Sequence, residues 1–239
     1  MSVLMLTVTE PRTRKSVTSK DTDHNAAESI ASVKRYFVTN FRAISGLFFG
    51  MSFISLASYS QGFWDITFLT RTYDWGAESG SVWYGGIQLV GGVVGMLTGG
   101  YMSDRLARDG VAGSSAVMAL IGAGMAFPAS IAYPLMPTPS LSLTVMFFAI
   151  FGNSMAFAAT ASALQKLFPI GMLGAAAGIY FFVTNAVGIG AGPTSVALIT
   201  DYVFKDPDMV RNSLAIVGSL SRFLAFVLIF QSYRPLRDL

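Results

Sequence analysis

The sequence predicts an all-α polytopic membrane protein whose six transmembrane helices form a 3+3 inverted repeat. Three observations predict it. Of 239 residues, 53% are hydrophobic and 12% charged, and the mean hydropathy of +0.56 lies above the soluble range. The apolar residues gather in six charge-poor runs, at 44–69, 82–102, 115–135, 141–164, 172–199 and 214–230, each near the ~20 residues that a hydrocarbon core demands. Lysine and arginine then fall mostly on one side of those runs once the two ends of the chain are counted with the connections.

Residues 1–40 read as the remnant of a preceding span followed by a cytoplasmic linker, and residues 41–239 as the six-helix bundle. The apolar stretch 3–8 is too short for a signal peptide, and no basic residue precedes it. Residues 9–32 are polar and free of aromatics, which suits a flexible segment, and a weakly amphipathic helix at 28–36 leads into the first span.

The first span carries Tyr59, Trp64 and Asp65 toward its far end. The second has Gly91, Gly95 and Gly99 one turn apart, so one face lets a neighbouring backbone approach closely. It meets the membrane boundary near Ser103, because Asp104, Arg105 and Arg108 cannot enter hydrocarbon cheaply. The third contains Pro128, and the fifth a glycine-rich stretch, 188–193, ending in Pro193. The connections hold turn-forming residues, as in Tyr73-Asp74-Trp75-Gly76 and Lys205-Asp206-Pro207-Asp208. Core helices of soluble proteins rarely stay apolar on every face for such lengths.

Counting spans from the basic amino-terminal segment, one side receives Arg105, Arg108, Lys166, Arg234 and Arg237. The other receives Arg71, Lys205 and Arg211 among several acids. Both termini are therefore expected in the cytoplasm, in a plasma or bacterial inner membrane. Shifting the chain by about 97 residues lays Gly91 on Gly188, Gly95 on Gly192, Gln88 on Asn185 and Asp104 on Asp201. The second and fifth spans run in opposite directions, as inverted repeats require.

Several function classes fall away. Cysteine is absent and the one histidine, His24, lies outside the spans, so neither a metal site nor a cofactor is expected. An intramembrane hydrolase would want a histidine in the spans. A Gly-x-x-x-x-Gly-Lys nucleotide loop is missing. The net charge of +3 comes from residues flanking apolar runs, which gives no nucleic-acid footprint.

Gly100-Tyr101-Met102-Ser103-Asp104-Arg105-Leu106-Ala107-Arg108 resembles the signature loop of major facilitator superfamily transporters. Ala107 stands at a usual glycine position and Asp109 where a further basic residue is common. Asn185-Ala186-Val187-Gly188-Ile189-Gly190-Ala191-Gly192-Pro193 resembles the eleventh span of spinster-like members, and Glu10-Pro11-Arg12 the segment after the sixth. Leu173 and Ile66 depart from an arginine and a proline frequent in the family. The resemblance implies the carboxyl-terminal half of that fold, completed by a missing amino-terminal half or by a second chain. It also implies that Gly100, Asp104, Arg105 and Arg108 form a conformational-switch loop.

Ionisable and polar side chains inside spans are costly, so each is a candidate for function. Tyr59, Trp64, Asp65, Gln88, Asn153, Tyr180 and Asn185 are the candidate solute-binding residues, with Arg222 as a possible charge partner. Aromatic rings with polar tips and amides suit a small organic solute, amphipathic or anionic. Alternating access by a symporter or facilitator is the leading expectation. A non-transporting interaction subunit, assembled through the Gly91, Gly95, Gly99 face, is the rival.

Overall fold

The computed structural model describes residue 38, residues 41–168 and residues 170–237. The expected remnant at 3–8, the linker, His24, the Glu10-Pro11-Arg12 segment and the helix at 28–36 lie outside the described residues. Among the described residues the fold is helical: α1 (Phe41–Tyr73), α2 (Ala77–Arg108), α3 (Ser114–Ala132), α4 (Pro139–Leu167), α5 (Ile170–Leu198) and α6 (Val210–Arg237). A 3-10 turn, Tyr133–Leu135, prolongs α3, and a wider π-helical turn, Ile199–Phe204, prolongs α5.

Each helix outruns its apolar core at one or both ends, because polar terminal turns remain helical beyond hydrocarbon. This corrects one expectation. The Asp104, Arg105, Arg108 cluster is no loop: α2 continues through Arg108, and the Asp109 amide closes the last turn on the Arg105 carbonyl at 2.9 Å. Cations in a final turn favour the negative end of the helix dipole. The chain reverses only at Gly110 and Gly113, which hold φ of 81° and 69°.

Among the described residues five helical segments are long and apolar enough to cross a membrane, and α1 is not among them. It is long enough, at 33 residues, but Ser52, Ser55, Ser58, Ser60, Gln61 and Asp65 dilute its apolar character. The packing explains the difference. All of these except Ser58 are buried, so α1 keeps most of its polar residues from lipid by turning that face into the bundle. Ser52 and Ser60 donate to the carbonyls of Phe48 and Leu56 at 2.9 and 2.8 Å, which satisfies their hydroxyls within the helix.

The most extensive helix pairs are α1 with α6, α2 with α4, α3 with α4, α1 with α5, and then α3 with α6. Exchanging α1 for α4, α2 for α5 and α3 for α6 returns the same set of pairs. The glycines singled out in the second and fifth spans lie on two of these seams. A methyl at Gly95 or Gly99 would land on the carbonyl oxygen of Phe151 or Met155 in α4. One at Gly192 would come within 2.8 Å of the Leu56 carbonyl in α1, and one at Gly188 within 2.5 Å of the Tyr59 ring. The ladder thus serves contacts inside the bundle, and the outer face of α2 presents Leu89, Val93 and Leu97 instead.

Two turns end in strained backbone. Asp74 and Lys205 adopt left-handed conformations with φ of 53° and 55°. Lysine gains nothing from that geometry, whereas glycine adopts it freely. Lys205→Gly is expected to stabilise the protein by about 0.5–1 kcal/mol, read as a higher midpoint in thermal unfolding in detergent. A lower midpoint would show that the lysine side chain carries a contact worth more than the strain.

Candidate functional site

Six of the eight candidate residues separate into two sets, and Gln88 and Tyr180 stand outside both. Tyr59, Asn185 and Trp64 form the first, where α1 crosses α5. The Tyr59 hydroxyl donates to Asn185 Oδ1 at 2.6 Å, and Asn185 Nδ2 donates to the Phe181 carbonyl at 2.7 Å. Trp64 Nε1 donates at 3.0 Å to the carbonyl of Pro193. Gly188 admits this crossing, since a side chain there would collide with Tyr59. Ser58, Tyr59, Gly62 and Phe63 all stand on the exposed side of α1. A polar pair with an aromatic flank therefore faces outward where α1 crosses α5.

Gln88 stands apart from that pair in a groove of about 550 Å³ beside the α2–α4 seam, where Tyr84, Gln88 and Ser154 are the polar lining groups and Leu89, Val93, Met96 and Leu97 the apolar wall. Tyr84 and Ser154 were not anticipated from sequence. Ser154 follows Asn153 by one residue, but nothing in the chain itself says which of the two faces the groove.

Asp65, Asn153 and Arg222 form the second set, inside the bundle. Asp65 and Arg222 are fully buried, and Asn153 is nearly so. Arg222 is held by three acceptors: Gln61 Oε1 through Nη2, Asn153 Oδ1 through Nε at 3.2 Å, and the Gly218 carbonyl through Nη1 at 3.1 Å. Asn153 Nδ2 in turn donates to Ser58 Oγ at 3.2 Å. Asp65 Oδ1 accepts from the Tyr133 hydroxyl at 2.8 Å. A guanidinium suits this role because its rigid fork reaches several acceptors together. Gln61 and Tyr133 complete the cluster and were missed in the sequence. Gln61 had a signal, since it lies one turn before Asp65 on the same face; Tyr133 had none.

Tyr180 belongs to neither set. It is buried against Phe48, with ring centroids 5.2 Å apart in an edge-on arrangement, and lies in the apolar core between α1 and α5. At the opposite end, Ser103 and Ser115 share a hydrogen bond at 3.0 Å between α2 and α3. Asp104, Arg105 and Arg108 are exposed beyond it, and Arg108 Nε reaches back to the Asp104 carbonyl at 3.4 Å. Gly100 also faces outward, with open space where a side chain would stand.

Among the described residues no group of histidine, cysteine and acidic side chains could hold a metal ion. The groove beside the α2–α4 seam is mostly apolar with an amide, a phenol and a hydroxyl in its wall, groups that can orient the polar end of a solute.

No curated protein is detectably similar to this chain. Two crystal structures of a bacterial homolog of the human lysosomal transporter Spinster share its fold. The inward-facing, unoccupied form superposes with a TM-score of 0.69 at 16% identity, covering 99% of this chain and 56% of that one. The inward-facing, occupied form gives 0.61 at 14%, covering 81% and 48%. The chain thus spans about half the length of the solved structures it matches. The sequence profile of the Major Facilitator Superfamily matches residues 1–193, which takes in the glycine seams, the Asp104-Arg105 turn, the first four helices and most of α5. On that match, and on the fold that agrees with it, this chain belongs to the Major Facilitator Superfamily.

Proposed function

We propose that this six-helix bundle moves a small organic solute, amphipathic or anionic, by alternating access against a second bundle supplied by further sequence or by another chain. Membership in a family of membrane transporters supports transport as the class of function. The observation that carries the solute reading is the outward-facing Tyr59–Asn185 pair beside Trp64 on an apolar helix face. Gln88, with Tyr84 and Ser154, lines the neighbouring groove. Amides and phenols can orient a solute's polar end while the apolar wall takes its body. Gly100, Asp104, Arg105 and Arg108 are then the cytoplasmic turn that meets the second bundle in one access state, with both termini on that side.

The interaction-subunit reading loses its main support, because the Gly91, Gly95, Gly99 face is spent on α4. Uptake of a panel of labelled amphipathic solutes into proteoliposomes, with the chain joined to a matching amino-terminal bundle, tests the proposal. Saturable uptake is expected, with KM raised about three- to tenfold in Tyr59→Phe or Asn185→Ala, the loss of one or two hydrogen bonds. Uptake that collapses with a proton or sodium gradient identifies a symporter; uptake that survives identifies a facilitator. No saturable flux from any solute would overturn the reading.

A further inference from the structure

The buried charges of this bundle do not form an ion pair. Asp65 and Arg222 lie inside the same cluster, yet no contact within 4 Å joins them among the described residues, and each is bound to neutral groups instead. Two side-chain atoms of the cluster remain without a hydrogen-bond partner: Asp65 Oδ2, an acceptor, and Gln61 Nε2, a donor. Both residues are at least 97% buried, being 0% and 3% exposed. They stand one turn apart on α1, and the side chains of both border the Tyr133 hydroxyl.

Leaving both atoms unmatched would cost roughly 1–3 kcal/mol each. A ligand that satisfies both must accept one hydrogen bond and donate another. A metal cation fails this test, because it needs several oxygen ligands and would meet the Gln61 amide hydrogens and the Arg222 guanidinium. An anion fails because it would face the Asp65 carboxylate. Water meets both demands and is the usual partner of such buried pairs.

We propose that a bound water molecule bridges Gln61 Nε2 and Asp65 Oδ2, and that it closes a relay running Tyr133–Asp65–water–Gln61–Arg222–Asn153–Ser58. The relay crosses α1, α4 and α6 and the turn that follows α3. It spreads the two buried charges over neutral dipoles, so that neither is left facing hydrocarbon alone. Its last member, Ser58, adjoins Tyr59 on the exposed side of α1, so the relay ties the bundle interior to the proposed solute face.

Two measurements on the chain in lipid nanodiscs test this. A cryo-electron microscopy map that shows ordered solvent is expected to contain density within ~2.7–3.2 Å of both atoms. Pulsed hydroxyl-radical labelling in ¹⁸O-water is expected to mark Tyr133 although it is fully buried. In Gln61→Leu and Asp65→Leu that label is expected to fall several-fold, with exposed Tyr101 unchanged and buried Phe68 still unmarked as the check on folding. If both variants unfold, the wild-type map and label decide. A direct Gln61–Asp65 hydrogen bond, an unlabelled Tyr133, or density that appears in sodium and vanishes in choline would each overturn the proposal.

Discussion

Arg222→Ala is expected to destabilise the bundle by about 3–5 kcal/mol, since two buried side-chain acceptors each lose a hydrogen bond from a charged donor, worth about 1.5–3 kcal/mol apiece. Asp65 would lose its compensating cation, and Gln61 Oε1 and Asn153 Oδ1 would lose their donor. Arg222→Lys should recover less than half of the loss. An ammonium is a compact point charge, whereas the guanidinium reaches α1, α4 and its own helix through three separate N–H groups. Reversible unfolding in mixed micelles measures both variants. A double-mutant cycle with Asp65→Asn adds a sharper test: the pair should be destabilised less than the sum of its members. Strict additivity would mean that the two charges do not sense one another, and a mild effect of Arg222→Ala would mean that the interior is wetter than the burial implies.

The second large effect is expected at the α2–α4 seam. Gly99→Val should cost about 3 kcal/mol or more, the upper range for overpacking, because its β-carbon would meet the Met155 backbone rather than a side chain able to turn away. The helices would have to part along several turns. Gly86→Ala on the same helix meets nothing within 4 Å and should be neutral or stabilising by up to ~1 kcal/mol through helix propensity. Thermal midpoints of the two variants in one detergent give the contrast directly. Equal midpoints would remove the close approach from the account of this seam.

Much of the fold is legible in the sequence. The six apolar runs fall within the six helices and the short turns that prolong α3 and α5, because lipid imposes a length and a polarity limit that composition alone can reveal. The glycine ladder also declared a close contact, since four-residue spacing puts small residues on one face whatever they touch. What it touches was not legible. An interface with another subunit and a seam inside the bundle call for the same residues, and only the packing of α2 against α4 chose between them. The Asp104–Arg108 turn was misread as a loop because charge marks the edge of hydrocarbon, not the end of a helix.

The candidate site was legible residue by residue and illegible as a site. Cost inside a membrane singles out Tyr59, Asp65, Asn153, Asn185 and Arg222, but one-dimensional order cannot say which share a neighbourhood. Tyr59 meets Asn185 across 126 residues, and Arg222 meets Gln61 across 161. The sequence by itself determined that the chain is a bundle of membrane helices, which of their faces are small and where charge must stop, because those properties depend on local composition and helical period. The tertiary structure alone decided that α1 turns most of its serines, Gln61 and Asp65 into the bundle, that Tyr180 is core, and that Asp65 and Arg222 are reconciled through amides and a phenol. Those outcomes depend on which helices lie side by side, and hydrogen-bond partners at such separations are fixed only when the helices pack.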